Sequence, residues 1–166
     1  MTYTTHIPSP VGMLYGTSDG ESLTGLWLTG QKYFASTLEG DTSEAPELPV
    51  FQKTEAWLDA YFAGKALPSL PSLAPRGSPF RQAVWKILRK IPYGQTTTYG
   101  DISRRLQEQG IPAAPQAVGG AVGHNPISIL IPCHRVLGAD SSLTGYAGGI
   151  EAKRFLLDLE QMDPND

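Results

Sequence analysis

The sequence has a single cysteine, Cys133, in 166 residues. An intramolecular disulfide is excluded, and a cysteine-based zinc site would lack the thiolates it needs. Histidine is almost as scarce, and His6, His124 and His134 stand at no metal-ligand spacing, so neither a metal nor another cofactor is expected. No run approaches the roughly 18 uncharged apolar residues of a membrane span, and the chain does not open with the basic residues and apolar stretch of a signal peptide. The expectation is a soluble, cytoplasmic protein with no membrane partner. Charge is also sparse, at 17% of residues, and its sum of −3 has the wrong sign for a nucleic-acid partner.

The sum conceals an asymmetry. Residues 1–77 carry 4 Lys/Arg and 8 Asp/Glu, net −4, whereas residues 78–160 carry 9 and 6, net +3, and the last six add two Asp. Within 81–135 the balance is 7 against 2, net +5. Charge asymmetry between halves points to a polyanionic partner, or else to an ordinary solvated basic face.

The two halves also differ in pattern. Thr2–Ile7, 12–17 and Leu23–Leu28 alternate or run apolar between Ser9-Pro10 and Ser18-Asp19-Gly20 turns, which predicts an antiparallel meander. From Pro49, the residues Val50, Phe51, Trp57, Leu58, Tyr61 and Phe62 recur at helical spacing until Gly64. Residues 66–79 contain four prolines and form the candidate linker. Ser78-Pro79 then supplies an N-cap and a first-turn proline for a helix carrying Phe80, Val84, Ile87, Leu88 and Ile91. That helix stops at Pro92-Tyr93-Gly94. Thr98 caps a second helix with Tyr99, Ile102 and Leu106, and a third short segment, Pro115–Gly123, is built of small residues. Together they make a plausible helix-turn-helix. After Asn125-Pro126, residues 127–131 read as a short apolar strand. A turn over 138–142 and a glycine-rich stretch, 145–149, lead to a last helix with Phe155, Leu156 and Leu159. No internal repeat is visible.

A lone cysteine is most often a small buried hydrophobe. Cys133, however, is followed by His134 and Arg135, and a thiolate becomes nucleophilic when an imidazole or a cation assists its deprotonation. On a strand these neighbours would point to opposite faces, so pairing needs a bend at Pro132 or a bridging water. The imidazole in turn wants a carboxylate, and Asp140, Glu151, Asp158 and Glu160 all lie downstream; spacing does not choose among them. The stretch 145–149 lacks the Lys-Ser/Thr ending of a phosphate loop. It is either a surface turn or a pocket wall offering backbone groups to a planar ligand.

With Asn125-Pro126 upstream, Tyr146-Ala147-Gly148-Gly149 downstream and Glu160 closing the last helix, the block Ile131-Pro132-Cys133-His134-Arg135-Val136 closely resembles the O6-alkylguanine-DNA alkyltransferases, the methylated-DNA–protein-cysteine methyltransferases. The resemblance is dense from about Ser78 to Glu160. It implies an α+β chain: an N-terminal ribonuclease-H-like domain with its linker over 1–77, made of an antiparallel sheet and a helix, then a mainly helical DNA-binding and alkyl-acceptor domain with a helix-turn-helix over 78–166.

The implied chemistry is direct repair of double-stranded DNA by a monomer, one base per chain, with O6-alkylguanine and also O4-methylthymine as substrates. Cys133 would take the alkyl group irreversibly. His134 would remove the thiol proton through a water, Glu160 would orient His134, and Asn125 would brace the turn. Tyr99 would protonate the departing guanine and help rotate the nucleotide out of the stack. The carbonyls of Cys133 and Val136 would accept from the guanine amine, with Tyr146, Ala147 and Gly148 forming a wall and Lys153 nearby. The slim third helix would enter the minor groove through Gln116, Ala117, Gly119, Gly120 and Gly123, and Arg135 is expected among the DNA contacts.

The sequence departs from the family pattern in three places. Gln116 stands where many members carry an arginine that fills the gap left by the flipped base, and it lacks that charge and stacking area. Ala147 stands where some place a serine hydroxyl. The zinc-binding cysteines of some N-terminal domains are missing. Two other function classes compete with alkyl transfer. A non-catalytic lesion-binding relative would replace the cysteine, which is present here. A cysteine hydrolase would turn over small esters and would need no helix-turn-helix.

Overall fold

The computed structural model describes residues 1–38, 40–138 and 146–161. The described residues divide into two compact units, the first made of Met1–Arg76 with Pro126–Ser128, the second of Gly77–Asn125 with the described residues between Ile129 and Gln161.

In the first unit, β1 (Thr2–Ile7), β2 (Leu14–Ser18), β3 (Leu23–Leu28) and β4 (Thr42–Glu44) form one sheet in the order β3-β2-β1-β4. The meander β1-β2-β3 is antiparallel, with Tyr3 opposite Ser18 and Leu14 opposite Leu28. The second strand starts two residues later than the pattern predicts, because Ser9 and Gly12 close a tight turn through reciprocal backbone hydrogen bonds. β4 pairs parallel to β1 and is exposed throughout; three polar residues at a sheet edge carry no apolar alternation, so no strand is predicted there. α1 (Pro49–Phe62) turns Val50, Phe51, Trp57, Leu58 and Tyr61 into a core shared with Leu14, Leu23, Leu26 and Trp27. Burial of such side chains stabilises a domain by about 1.5–3 kcal/mol each.

The second unit is helical. α2 (Pro79–Arg89) begins at Ser78, whose hydroxyl accepts from the Arg81 amide at 3.2 Å. Behind β5 (Thr97–Thr98), α3 (Tyr99–Glu108) is capped by Thr98, which accepts from the Asp101 amide at 3.1 Å. The side chain of Asp101 ties Thr97, Arg104 and Arg105 to the same first turn. α4 (Pro115–Gly123) packs on α2 and α3 through Val118, Ala121 and Val122. The buried Trp85 indole of α2 donates to the Ala121 carbonyl at 2.8 Å. β6 (Val136–Leu137) pairs parallel with β5, and α5 (Ile150–Gln161) closes the unit.

The strand predicted over 127–131 is absent. Ile127 makes one isolated bridge with Leu26, and Ile129 takes φ 72°, which breaks any strand. The run is apolar because all five residues are buried, and burial alone does not dictate extended backbone. Among the described residues no helix is long and apolar enough to cross a membrane.

Candidate active site

Pro132, with φ −82° and ψ 66°, is the centre of an inverse γ-turn in which the Cys133 amide donates back to the Ile131 carbonyl at 2.8 Å. Asn125 Nδ2 donates to the same carbonyl at 2.8 Å, and a further Asn125 side-chain hydrogen bond reaches the Cys133 sulphur. A 3-10 turn, Cys133–Arg135, follows, its geometry fixed by Arg135 N–H to the Pro132 carbonyl and Val136 N–H to the Cys133 carbonyl. With three residues per turn, Cys133, His134 and Arg135 leave in three directions. That supplies the bend that a strand could not. The β5–β6 pairing then sets Thr98 opposite Leu137, so Tyr99, half-buried, begins α3 close enough to Cys133 for a thiolate there to act on it.

The cluster behind Cys133 is polar and closed to solvent. His134 has no exposed surface, and its Nε2 lies 2.5 Å from Glu160 Oε2. Since a carboxylate only accepts, that contact assigns the proton to Nε2 and leaves Nδ1 with its lone pair. Nδ1 is buried and meets no hydrogen-bond partner among the described residues. Glu160 also accepts from Arg135 Nε at 2.7 Å, from Arg135 Nη2 at 3.1 Å and from the Gly94 amide at 3.1 Å. Lys153, fully buried, donates from Nζ to the Val136 carbonyl at 2.5 Å.

Burial sets the resting protonation. It pushes the Cys133 thiol up, against the pull of Asn125, Lys153 and the residue's own amide. Burial likewise pushes His134 down, although Glu160 works the other way. The resting pair is a neutral thiol and a neutral imidazole. Burial raises the Tyr99 hydroxyl, and Cys133 raises it further when it is a thiolate, so Tyr99 keeps its proton. Burial lowers Lys153, with Cys133 opposing.

Of the residues expected at the site, the second unit gathers Cys133, His134, Glu160, Asn125, Tyr99, Val136 and Lys153 around one turn. Glu160 is thereby selected over Glu151 and Asp158, which lie exposed on α5; Asp140 falls outside the described residues. The Val136 carbonyl, bound to Lys153, retains a second lone pair. Tyr146, Ala147 and Gly148 are partly exposed in a turn whose Gly149 amide bonds the Tyr146 carbonyl at 2.9 Å. Gly145 and most of the 138–142 turn lie outside the described residues. On α4, Gln116, Ala117 and Gly120 are exposed, Gly119 and Gly123 partly so. A Cβ placed on Gly119 or Gly120 would meet no heavy atom within 4 Å.

Arg135 departs from expectation. It is 7% exposed, and its Nε, Nη1 and Nη2 are all engaged, Nη1 with the Ile91 carbonyl at 2.7 Å. A guanidinium so enclosed does not reach a DNA phosphate. Sequence reasoning also missed Gly94 and Tyr93. The Pro92-Tyr93-Gly94 turn reads simply as a helix stop, yet its Gly94 (φ 80°) bonds Glu160, and the Tyr93 ring lies 5.8 Å from the Arg135 guanidinium carbon.

Residues 79–162 match the family model described as 6-O-methylguanine DNA methyltransferase, DNA binding domain, and residues 1–70 match its ribonuclease-like domain. The methylated-DNA–protein-cysteine methyltransferase of Haemophilus influenzae is 48% identical over 162 residues, covering 96% of this chain and 87% of that protein. Its namesake from Mycobacterium bovis is 46% identical over 155 residues, covering 93% and 90%. The crystal structure of Mycobacterium tuberculosis OGT in complex with DNA superposes with a TM-score of 0.84 at 43% identity, covering 96% of this chain and 92% of that one. With both of its halves matched by that family's models, and a closed Cys-His-Glu cluster in the second, the chain belongs to the 6-O-methylguanine DNA methyltransferase family.

Proposed function

We propose that this protein repairs DNA directly, transferring the alkyl group of O6-alkylguanine in duplex DNA to Cys133 in a single irreversible turnover. One observation carries the reading: the buried thiol shares a closed cluster with a neutral histidine whose only ring nitrogen with a lone pair, Nδ1, is unclaimed by protein. Nδ1 takes the Cys133 proton, directly or through one water, and the imidazolium is held by Glu160. The thiolate forms a bond to the alkyl carbon as the carbon–O6 bond breaks. The electron pair leaves on the guanine, and the Tyr99 hydroxyl supplies the proton that neutralises it. Once sulphur is a thioether it carries no charge, which removes the Cys133 contribution that had held the Tyr99 proton in place. A thioether does not hydrolyse, so no second half-reaction follows.

Pocket and groove assignments belong to the same reading. Val136 O and the 146–148 turn face the flipped base, and α4 enters the minor groove. Gly119 and Gly120 support this, because glycine costs about 1 kcal/mol relative to alanine in a helix and nothing inside the protein requires its smallness at either position. The reading includes a monomer acting in the cytoplasm.

Intact mass measurement after mixing with a duplex containing O6-methylguanine tests it. The expected result is a gain of one methylene mass on Cys133, absent from Cys133→Ala. Lesion-bound but unmodified protein would sink the proposal and favour a non-catalytic binder. Sedimentation with and without DNA tests the monomer.

A further inference from the structure

We propose that Arg135 is a positioning residue for the alkyl transfer, acting through Glu160: its guanidinium fork fixes the carboxylate that orients His134 and balances that carboxylate's charge. The inference rests on the alkyl-transfer reading above.

The geometry is that of a clamp. Arg135 meets Glu160 with two nitrogens, Nε on Oε1 at 2.7 Å and Nη2 on Oε2 at 3.1 Å, while Nη1 is tied to the Ile91 carbonyl just beyond α2. Oε1 receives a second donor, the Gly94 amide at 3.1 Å, and the Tyr93 ring lies against the guanidinium. Gly94 is held in place from the other side, its carbonyl accepting from Gln161 Nε2 at 2.9 Å. Oε2 is shared between Arg135 and His134. The plane of the carboxylate, and with it the His134 ring, is therefore set by a fork that a point charge could not reproduce.

Charge balance follows from the same contacts. The charged groups acting on His134 are Glu160 and Lys153 from α5 and Arg135 from its own turn, which it shares with Cys133, and Tyr93 of the α2–α3 turn feels the Glu160–Arg135 pair. Glu160 favours imidazolium, whereas Arg135 and Lys153 disfavour it. Removing the guanidinium leaves Glu160 uncompensated beside His134. The ring then protonates at higher pH, and an imidazolium cannot accept the Cys133 proton.

Single-turnover kinetics separate this role from a merely structural one, because the amplitude counts competent molecules and the rate constant reports each molecule's chemistry. Wild type, R135K and R135Q are mixed with excess O6-methylguanine duplex across neutral and mildly acidic pH. The expected result for R135Q is a rate constant lower by about tenfold or more at neutral pH, with the acid limb of the profile moved to higher pH. R135K, which keeps the charge and loses the fork, is slower than wild type with its acid limb in place. Reduced amplitude at an unchanged rate constant and unchanged profile overturns the proposal. Should R135Q not fold, R135K decides alone, and a wild-type rate constant there overturns it too. A wild type that forms no S-methylcysteine refutes the parent reading instead, a result visible before any Arg135 variant is made.

Discussion

The Cys133–Arg135 turn and helix α4 belong to the same unit and specify their residues in opposite ways. In the turn, nearly every side chain has a partner that explains it: Asn125 a carbonyl and a thiol, His134 a carboxylate, Arg135 that carboxylate and a carbonyl, Lys153 another carbonyl. On α4, by contrast, Val118, Ala121 and Val122 are fixed from within, while Gly119 and Gly120 face space that would admit a larger residue at no internal cost. Where the inside explains a residue, substitution should disturb folding and chemistry together. Where it does not, substitution should disturb binding alone.

The sharpest break of that contrast is Glu160→Ala. It leaves Arg135 and His134 buried without their carboxylate, and removing one partner of a buried ion pair costs about 3–5 kcal/mol. Urea unfolding should show that loss, and alkyl transfer should fall with it. An intact stability would mean that the cluster is less closed than its contacts say.

Next in size is a pH effect from His134. In the folded protein burial holds its pKa below the ordinary value of about 6.5. As pH falls through that value the unfolded chain takes up a proton that the folded chain refuses, so stability is present above it and is lost toward acid. The slope is at most about 1.4 kcal/mol per pH unit. Urea midpoints along an acid series should show it, and His134→Gln should flatten it.

On the α4 side, Gly120→Ala should raise stability by up to about 1 kcal/mol, and Gly120→Leu should leave the fold intact while weakening duplex binding by about tenfold, or 1.4 kcal/mol. Fluorescence titration with DNA beside thermal melts separates the two; a Leu variant that binds normally would remove the groove assignment. Smallest is Gln116→Arg, expected to tighten duplex binding a few-fold and to steepen the salt dependence by about 0.9 in log–log slope for one added phosphate contact.

The same contrast governs how much could be read from the sequence. Local signals were legible: three alternating runs, the Ser78 and Thr98 caps, and a helix of small residues. Contacts that close over long separations were not. His134 and Glu160 are 26 positions apart, and spacing offered four carboxylates until the resemblance chose one. Arg135 reads as a surface cation because sequence does not say which way the third residue of a 3-10 turn points. The Pro92–Gly94 turn reads as punctuation because its function lies in a backbone amide, which every residue but proline carries. Residues 127–131 mislead for the opposite reason, their hydrophobicity serving burial around a left-handed Ile129 and not a strand.

The indole of Trp85, hydrogen-bonded to Ala121 in α4, has a spectroscopic consequence. The chain has three tryptophans, and Trp27 and Trp57 both lie in the first unit. Replacing those two with phenylalanine leaves one tryptophan, hydrogen-bonded to the helix assigned to DNA and excitable apart from the tyrosines, whose emission is sensitive to the polarity and hydrogen bonding around its ring. Such a protein would carry its own optical gauge of α4, readable with unlabelled DNA, before and after the sulphur is alkylated.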